Sequence, residues 1–332
     1  MAAFAFSNSS HAAGGDARIS GPHVHENLAV YFVHGPSADG PVPLTLAEAI
    51  EQARVKVFET GDVNELKIEN IGDEAVFIQS GDIVKGGKQD RVITSSFIVP
   101  PKSGEVPLAA FCVEQGRWSA RGTESVARFT SSYESVPSRE AKLAMKAPRA
   151  AETGSTGANR SASRQADVWD SVSKMQMKLS SGVRADVAST SSATSLQLSL
   201  ENEKLKEQRS GYVKALQAAG EGGGDIVGYA FAVNGKLNSA DVYASNGLFR
   251  KMWEKQLQSA ATEAIGEKDG KAEAVPAVEA VEAFLGDAKQ GAVKEKVSKS
   301  QNDFEVREGT RAVYFASSPA SGAFVHENYL AK

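Results

Sequence analysis

The densest run of chemistry-bearing side chains is Ser80-Gly-Asp-Ile-Val-Lys-Gly-Gly-Lys-Gln-Asp-Arg91. Gly86 and Gly87 tolerate positive φ, so successive backbone N–H groups can point into one concavity, with Lys85, Lys88 and Arg91 as cationic donors around it. Such a turn can hold a phosphate or a carboxylate. It is not a P-loop, because no Gly-Lys-Ser/Thr opening a helix follows, and its glycine spacing does not fit a dinucleotide fingerprint. A second run, Phe111-Cys-Val-Glu-Gln-Gly-Arg-Trp118, joins a thiol, a carboxylate, an amide, a guanidinium and an indole. Asp90 and Glu114 are the acid/base candidates of the two runs. Lys85, Gly86, Gly87, Lys88, Arg91, Gln115, Arg117 and Trp118 are the ligand-binding candidates, cations for an anion and an indole for stacking.

Other reactive side chains offer less. Cys112 alternates with Val106, Leu108 and Ala110, the phase of a small buried residue and not of a thiolate. His23 and His25 share one side of an extended chain, and His34 or His326 is a third imidazole for a metal. No downstream Glu and His pattern supports such a centre, and no metal is assigned. Ser-His-Asp catalysis has no nucleophile elbow behind it.

For the two runs to meet, the strands between them must bring them to one end of a sheet. Segments 75–84, 90–99 and 105–113 read as strands of an antiparallel meander, with a turn at Lys85–Gln89 and another at Pro100–Gly104. The third strand then returns to the first end, and Glu114, Gln115, Arg117 and Trp118 converge on Lys85, Lys88, Asp90 and Arg91. Two readings stay open: a pocket for a polar small molecule, or a structural ion-pair cluster of Asp90 and Glu114 with Arg91 and Arg117.

Around this meander, 28–34, 55–58 and 63–69 also read as strands and 44–53 as a short helix. Val168, Val172, Met175 and Leu179 follow helical spacing and predict a helix over the sheet. Sparse apolar residues around the charged stretch Glu201–Arg209 predict a surface helix near 198–218. Asn234-Gly235 predicts a hairpin of 226–233 with 236–243, followed by a helix capped at Ser245 or Asn246. A helix through Val278 and Phe284 and strands at 304–307 and 311–315 complete the chain. The expected architecture is α+β: a disordered leader 1–22, then one compact domain 23–332. That domain comprises a β-rich half 23–118, a loop-rich helical insert 119–220 with flexible excursions at 119–165 and 180–195, and a hairpin-helix half 221–332. Val24-His-Glu-Asn27 recurs as Val325-His-Glu-Asn328, either a duplication or a coincidence.

Composition narrows the function classes. With 41 acidic against 37 basic residues, the net charge of −4 gives no global field for nucleic acid or an anionic membrane. One cysteine in 332 residues excludes an internal disulfide framework and a multi-thiolate zinc site. No apolar run approaches a membrane span, and the start has no basic n-region, so the expected location is the cytoplasm.

The ordered motifs Gly81–Arg91, Val99-Pro-Pro-Lys-Ser-Gly104 and Phe111–Trp118 resemble the ARG-and-rhodanese-phosphatase-superfamily-associated protein domain. The resemblance continues through Gln165–Asp170, Val233–Lys236, Asp241-Val-Tyr243 and Leu248-Phe249, covers roughly residues 25–265, and fades after Gly266. It implies a neighbourhood of nucleotide or ADP-ribose chemistry without assigning a mechanism. The expected partner is therefore a phosphorylated or nucleotide-like small molecule. The rival expectation is an assembly or adaptor protein with a protein partner or a second copy of itself, whose 81–118 charges are structural.

Overall fold

The Asn234-Gly235 turn closes the hairpin it predicts. In the computed structural model, Ile226–Val233 pairs antiparallel with Lys236–Tyr243, and Asn234 (φ 48°) and Gly235 (φ 68°) both take the left-handed conformation the turn requires. These strands are β12 and β13 in chain order and sit at the centre of an eight-stranded antiparallel sheet, β1-β2-β12-β13-β17-β16-β15-β14. The flanking strands are β1 (Arg18–His25), β2 (Leu28–His34), β14 (Ala292–Lys299), β15 (Asn302–Glu308), β16 (Ala312–Pro319) and β17 (His326–Ala331). The structure describes residues 18–117, 119, 121, 129–146, 148, 157–271, 274–299, 302–320 and 324–332.

Strand alternation gives this sheet two apolar faces. Phe32, Tyr229, Phe231 and Tyr243 pack beneath α3 (Gly157–Val183), α5 (Glu203–Glu221) and α6 (Asn246–Gly266). Tyr31, Tyr314 and Tyr329 face α7 (Val278–Lys289) on the other side. As its spacing predicts, α3 buries Val168, Val172, Met175 and Leu179, and α6 is capped by the Ser245 hydroxyl accepting from the Leu248 N–H.

A second β-body holds its own core. Six strands are ordered β11-β7-β8-β10-β5-β4: β11 (Phe129–Ser135), β7 (Asp82–Gly86), β8 (Arg91–Ile93), β10 (Gly104–Cys112), β5 (Glu65–Asn70) and β4 (Val55–Glu59). Three short strands, β3 (Leu44–Thr45), β6 (Val76–Ile78) and β9 (Phe97–Val99), form a third sheet. Leu66, Ile68, Ile78, Val84, Ile93 and Leu108 fill the space these strands enclose. The helix α1 (Leu46–Glu51) carries a capping box between Thr45 and Glu48.

The molecule is α+β, with several departures from the sequence expectations. Segment 75–84 is two strands and not one, because Gly81 (φ 99°) and an Asp82 carboxylate accepting from the Gln79 N–H break it; 90–99 splits likewise into β8 and β9. The meander survives as β7-β8-β10. The stretch 119–165, expected to be a loop, contains β11 and α2 (Arg139–Lys146). β11 has few apolar residues but pairs with β7, and its Glu134 accepts both arms of Arg209 at 2.7 Å. Helix α5 is accordingly no surface helix, since it buries Leu205, Arg209, Tyr212 and Leu216; a short α4 (Leu196–Leu200) precedes it. In 180–195, α3 continues to Val183 and Val187 is buried. Strand β1 begins at Arg18, inside the segment assigned to the leader, and joins the sheet of the C-terminal hairpin, so the two halves share one sheet. The two Val-His-Glu-Asn copies differ in backbone, the first entering a turn at Glu26 (φ 48°) and the second opening β17.

Candidate functional site

At one end of β7-β8-β10 the predicted convergence is partly realised. Gly86 (φ 114°) and Gly87 (φ 56°) make the turn, and a Cβ on Gly87 would stand 2.4 Å from the Phe129 ring. Three N–H groups in and beside this turn are filled by the protein's own carboxylates. Gly86 donates to Asp90 Oδ1 at 2.9 Å, Lys88 to Glu59 Oε1 at 2.9 Å, and Asp90 to Glu114 Oε2 at 3.3 Å. Arg117 donates to Glu114 at 2.7 Å and to the carbonyls of Gly86 and Gly87. Arg121 donates to Asp90 at 2.9 Å and to Glu114 at 3.4 Å, and the Ser195 hydroxyl, cap of α4, donates to Asp90 at 3.0 Å. Asp90, Glu114 and Arg91 have no exposed surface.

The remaining candidates lie apart from this centre. Arg91 faces Glu59 at 3.7 Å and donates to the Gln89 carbonyl. Lys85 turns away to Glu201 at 2.7 Å, and the Gln115 backbone ties to Thr194 while its side chain is exposed. The Lys88 ammonium meets no carboxylate among the described residues. Trp118 lies outside the described residues. Cys112 is buried with its thiol 2.9 Å from Gln89 Oε1; burial pushes the thiol up to about 11, so it stays protonated at neutral pH. Sequence reasoning missed Arg121, Glu59 and Ser195, which come from separate segments and join only through the fold.

A second polar cluster crosses the middle of the eight-stranded sheet. Registers β12–β13, β13–β17 and β16–β17 align Tyr229, Asp241, Asn328 and Phe315 in one row and Tyr243, His326 and Ser317 in the next, all on one face. Asp241 is its hub. It bonds His326 Nε2 at 2.8 Å, the Tyr229 hydroxyl at 2.5 Å and the Asn328 amide at 3.0 Å, while Tyr243 donates to Gln79. The Lys146 ammonium donates to Asn328 Oδ1 and lies 4.2 Å from the centre of the Phe315 ring. The Ser317 hydroxyl is buried without a hydrogen-bond partner among the described residues.

Burial and charge tune this seam. Burial alone would raise the Asp241 carboxyl, but the His326 hydrogen bond and the charges of His326 and Lys142 hold it below the usual carboxylate range. Burial pushes the Lys146 ammonium down to about 7, opposed by Asp241 and reinforced by Lys142. Burial likewise raises the nearby Glu263 carboxyl of α6. Asp241 and Asn328 are buried, whereas Lys142, Lys146 and Phe315 are half-buried, so the seam runs from the interior to the surface beside α2. Of these residues, sequence reasoning singled out only His326, as a metal ligand. Yet His23, His25, His34 and His326 do not converge, and among the described residues no three His, Cys, Asp or Glu side chains are placed to hold a metal ion.

A cleft of about 290 Å³ opens between α1, β11 and α6, but its lysines are committed, Lys251 to Glu48 at 3.0 Å and Lys255 to Asp82 at 2.6 Å. On the seam, in contrast, Lys142 and Lys146 have no carboxylate within ion-pair distance among the described residues. Among the described residues, no helix is long and apolar enough to cross a membrane.

No curated protein matches the chain, and no solved structure does. A family model, the ARG and Rhodanese-Phosphatase-superfamily-associated Protein domain, matches residues 16–330. The match runs past Gly266 and through β17, further than the motifs alone reach. With nearly its whole length covered, from the first strand of the large sheet to the strand that bears His326, the chain belongs to the family of ARG and rhodanese-phosphatase-superfamily-associated protein domains.

Proposed function

We propose that the protein binds a phosphorylated or nucleotide-like small molecule, ADP-ribose-related in the first instance, and that the seam of Asp241, His326 and α2 is where it does so. The setting is the cytoplasm. One observation carries this reading: Lys142 and Lys146 on α2 have no carboxylate within ion-pair distance among the described residues, although the Asp241 carboxylate bound to His326 acts on both, while Arg139, one turn earlier, gives a guanidinium nitrogen to the Ala331 carbonyl. Uncommitted cations next to an imidazole–carboxylate pair supply anion binding and proton transfer together. The Gly86-Gly87 turn is less suited to a ligand, because Asp90, Glu59 and Glu114 already accept from the N–H groups of Gly86, Lys88 and Asp90. Its charges serve better as a clamp between β7, β8 and α4.

A thermal-shift series with ADP-ribose, AMP and inorganic phosphate tests the assignment on the wild type, Lys142→Ala and Lys88→Ala. The expected outcome is a raised midpoint for the wild type and Lys88→Ala but not for Lys142→Ala. A shift that Lys88→Ala abolishes and Lys142→Ala retains would return the ligand to the Gly86-Gly87 turn. No shift in the wild type with any of these compounds would end the ligand reading.

The adaptor reading has one observation in its favour: β14, the terminal strand of the large sheet, is exposed along its length, with Val293 outward. A solution mass of twice the 35.0 kDa chain, together with no ligand response, would favour it.

A further inference from the structure

The part-buried lysines of this protein fall into two groups. Lys85, Lys251, Lys255 and Lys289 each meet a carboxylate, at 2.7, 3.0, 2.6 and 2.8 Å respectively. That is the usual arrangement, because an enclosed ammonium without a counter-charge is costly. Lys88, Lys142 and Lys146 are also half-buried and meet no carboxylate among the described residues, and Lys146 is set apart by its neighbours. Its hydrogen-bond acceptor is the neutral amide oxygen of Asn328, and its other neighbour is the face of Phe315. The nearest acid, Asp241, stands one link further on, held by the Asn328 amide at 3.0 Å and by His326 at 2.8 Å. Amine, amide, carboxylate and imidazole thus form one connected chain. On the strand beside His326, the buried Ser317 hydroxyl has unused hydrogen-bonding capacity.

From this geometry we infer that Lys146 is a nucleophile that forms an imine with the open-chain aldehyde of a phosphorylated reducing sugar, with Lys142 holding the phosphate. The inference rests on the seam being the ligand site. An amine is reactive only when neutral, and burial favours the neutral form here, so a large share of Lys146 is unprotonated near pH 7. Asp241 from β13 and Lys142 from the preceding turn of α2 act on it directly. His326 from β17 and Tyr229 from β12 hold Asp241, and Glu263 from α6 interacts with Lys142.

The step balances without an oxidant. The nitrogen lone pair bonds to the aldehyde carbon as the C=O π pair moves to oxygen. A proton passes from nitrogen to that oxygen to give the carbinolamine. The hydroxyl then leaves as water with a proton taken from solvent, the nitrogen lone pair closes the C=N bond, and the N–H proton of the resulting iminium returns to solvent. Amine and aldehyde become imine and water, and the imine nitrogen is a point at which electrons from the adjacent carbon can be received.

The full chain incubated with ribose 5-phosphate and sodium cyanoborohydride at pH 7 reads the step directly, because the trap converts an imine into a stable secondary amine. Peptide mass mapping should find the adduct on Lys146 at about tenfold or more over Lys296, whose side chain is 73% exposed. Lys142→Ala and unphosphorylated ribose should each reduce it. Lys146→Arg, which keeps a cation, should abolish it. The preference should shrink as pH rises toward 10, where ordinary lysines lose their protons. Labelling of Lys146 no faster than Lys296 at pH 7 would overturn the inference. If ADP-ribose still raises the melting midpoint of wild type and Lys146→Arg but no adduct forms, the imine step fails and the ligand site stands; if neither occurs, both fail.

Discussion

The 86–121 cluster and the Asp241 seam are both buried polar constellations, and they differ in how far their groups satisfy one another. Around Asp90 and Glu114, carboxylates fill backbone N–H groups and two arginines close the remaining lone pairs. Of the unfilled atoms there, Arg91 Nη2 and Glu59 Oε2 face each other as an ion pair at 3.7 Å, and Arg91 Nε is the exception, buried with no hydrogen-bond partner among the described residues. Along the seam, among the described residues, Lys142 and Lys146 have no carboxylate within ion-pair distance and the Ser317 hydroxyl has no hydrogen-bond partner. A group that has found its partners inside the chain has little left to offer a ligand. Unmatched capacity, not density of charge, is therefore the better guide to chemistry, and the conspicuous lysine-glycine turn is the poorer candidate.

The sharpest way to break that contrast is to remove Asp90. Its two oxygens accept from Gly86, Arg121 and Ser195, so Asp90→Ala takes from the buried Arg121 guanidinium its nearest carboxylate, with Glu114 at 3.4 Å still in reach. The expected loss is about 3–5 kcal/mol, measured by urea unfolding at pH 7. A loss below about 1 kcal/mol would mean that the cluster is not a clamp. The same variant should leave the anion response intact if the seam is the ligand site.

How much of this was legible without coordinates depended on range in sequence. The Asn234-Gly235 hairpin, the Ser245 cap and the Val168–Leu179 stripe are local patterns, and each forms as its spacing dictates. Glu114 and Arg117 reach Asp90 because a meander is itself a local topology. Strand β11 escaped notice because Phe129-Thr-Ser-Ser-Tyr-Glu-Ser135 reads as a polar loop and is held by pairing with β7 and by Arg209, far along the chain. The seam was hidden for the same reason: Lys146, Asp241 and His326 come from α2, β13 and β17, and only the register of the large sheet assembles them. One sign was present in the sequence. Asp241 is an acid between Ala240 and Val242 at the buried end of its strand, and such a residue needs partners when buried.

Replacing the unmatched lysine should act in the opposite direction from replacing Asp90. Lys146→Met keeps the length of the side chain and removes a charge that burial disfavours. An ammonium whose pKa falls on folding holds its proton more weakly in the native state. Between about pH 7 and the ~10.4 of an unfolded lysine, the unfolded chain carries more protons and stability rises with pH; below about pH 7 the whole cost is present. Because the residue keeps partial contact with solvent, Lys146→Met should stabilise by about 1–2 kcal/mol at pH 6–7, with the gain fading toward pH 10. Paired urea titrations at pH 6.5 and 9.5 check both the sign and the trend. A destabilised variant at pH 6.5 would mean that Lys146 is matched after all.

The smallest expected effect is at Lys88, the cation on the Gly86-Gly87 turn whose ammonium meets no carboxylate among the described residues. Its contribution to the clamp is the backbone N–H that Glu59 accepts, and alanine retains that group. Lys88→Ala should therefore change stability by less than about 0.5 kcal/mol in the same unfolding experiment. Lys88 thus differs from Asp90, two residues away, by the whole worth of the network: one lends it a backbone donor, the other a buried charge. A loss above about 1 kcal/mol would place the Lys88 side chain among the structural charges. The Gly86-Gly87 turn would then have no free cation left for an anion, which would strengthen the case for the seam.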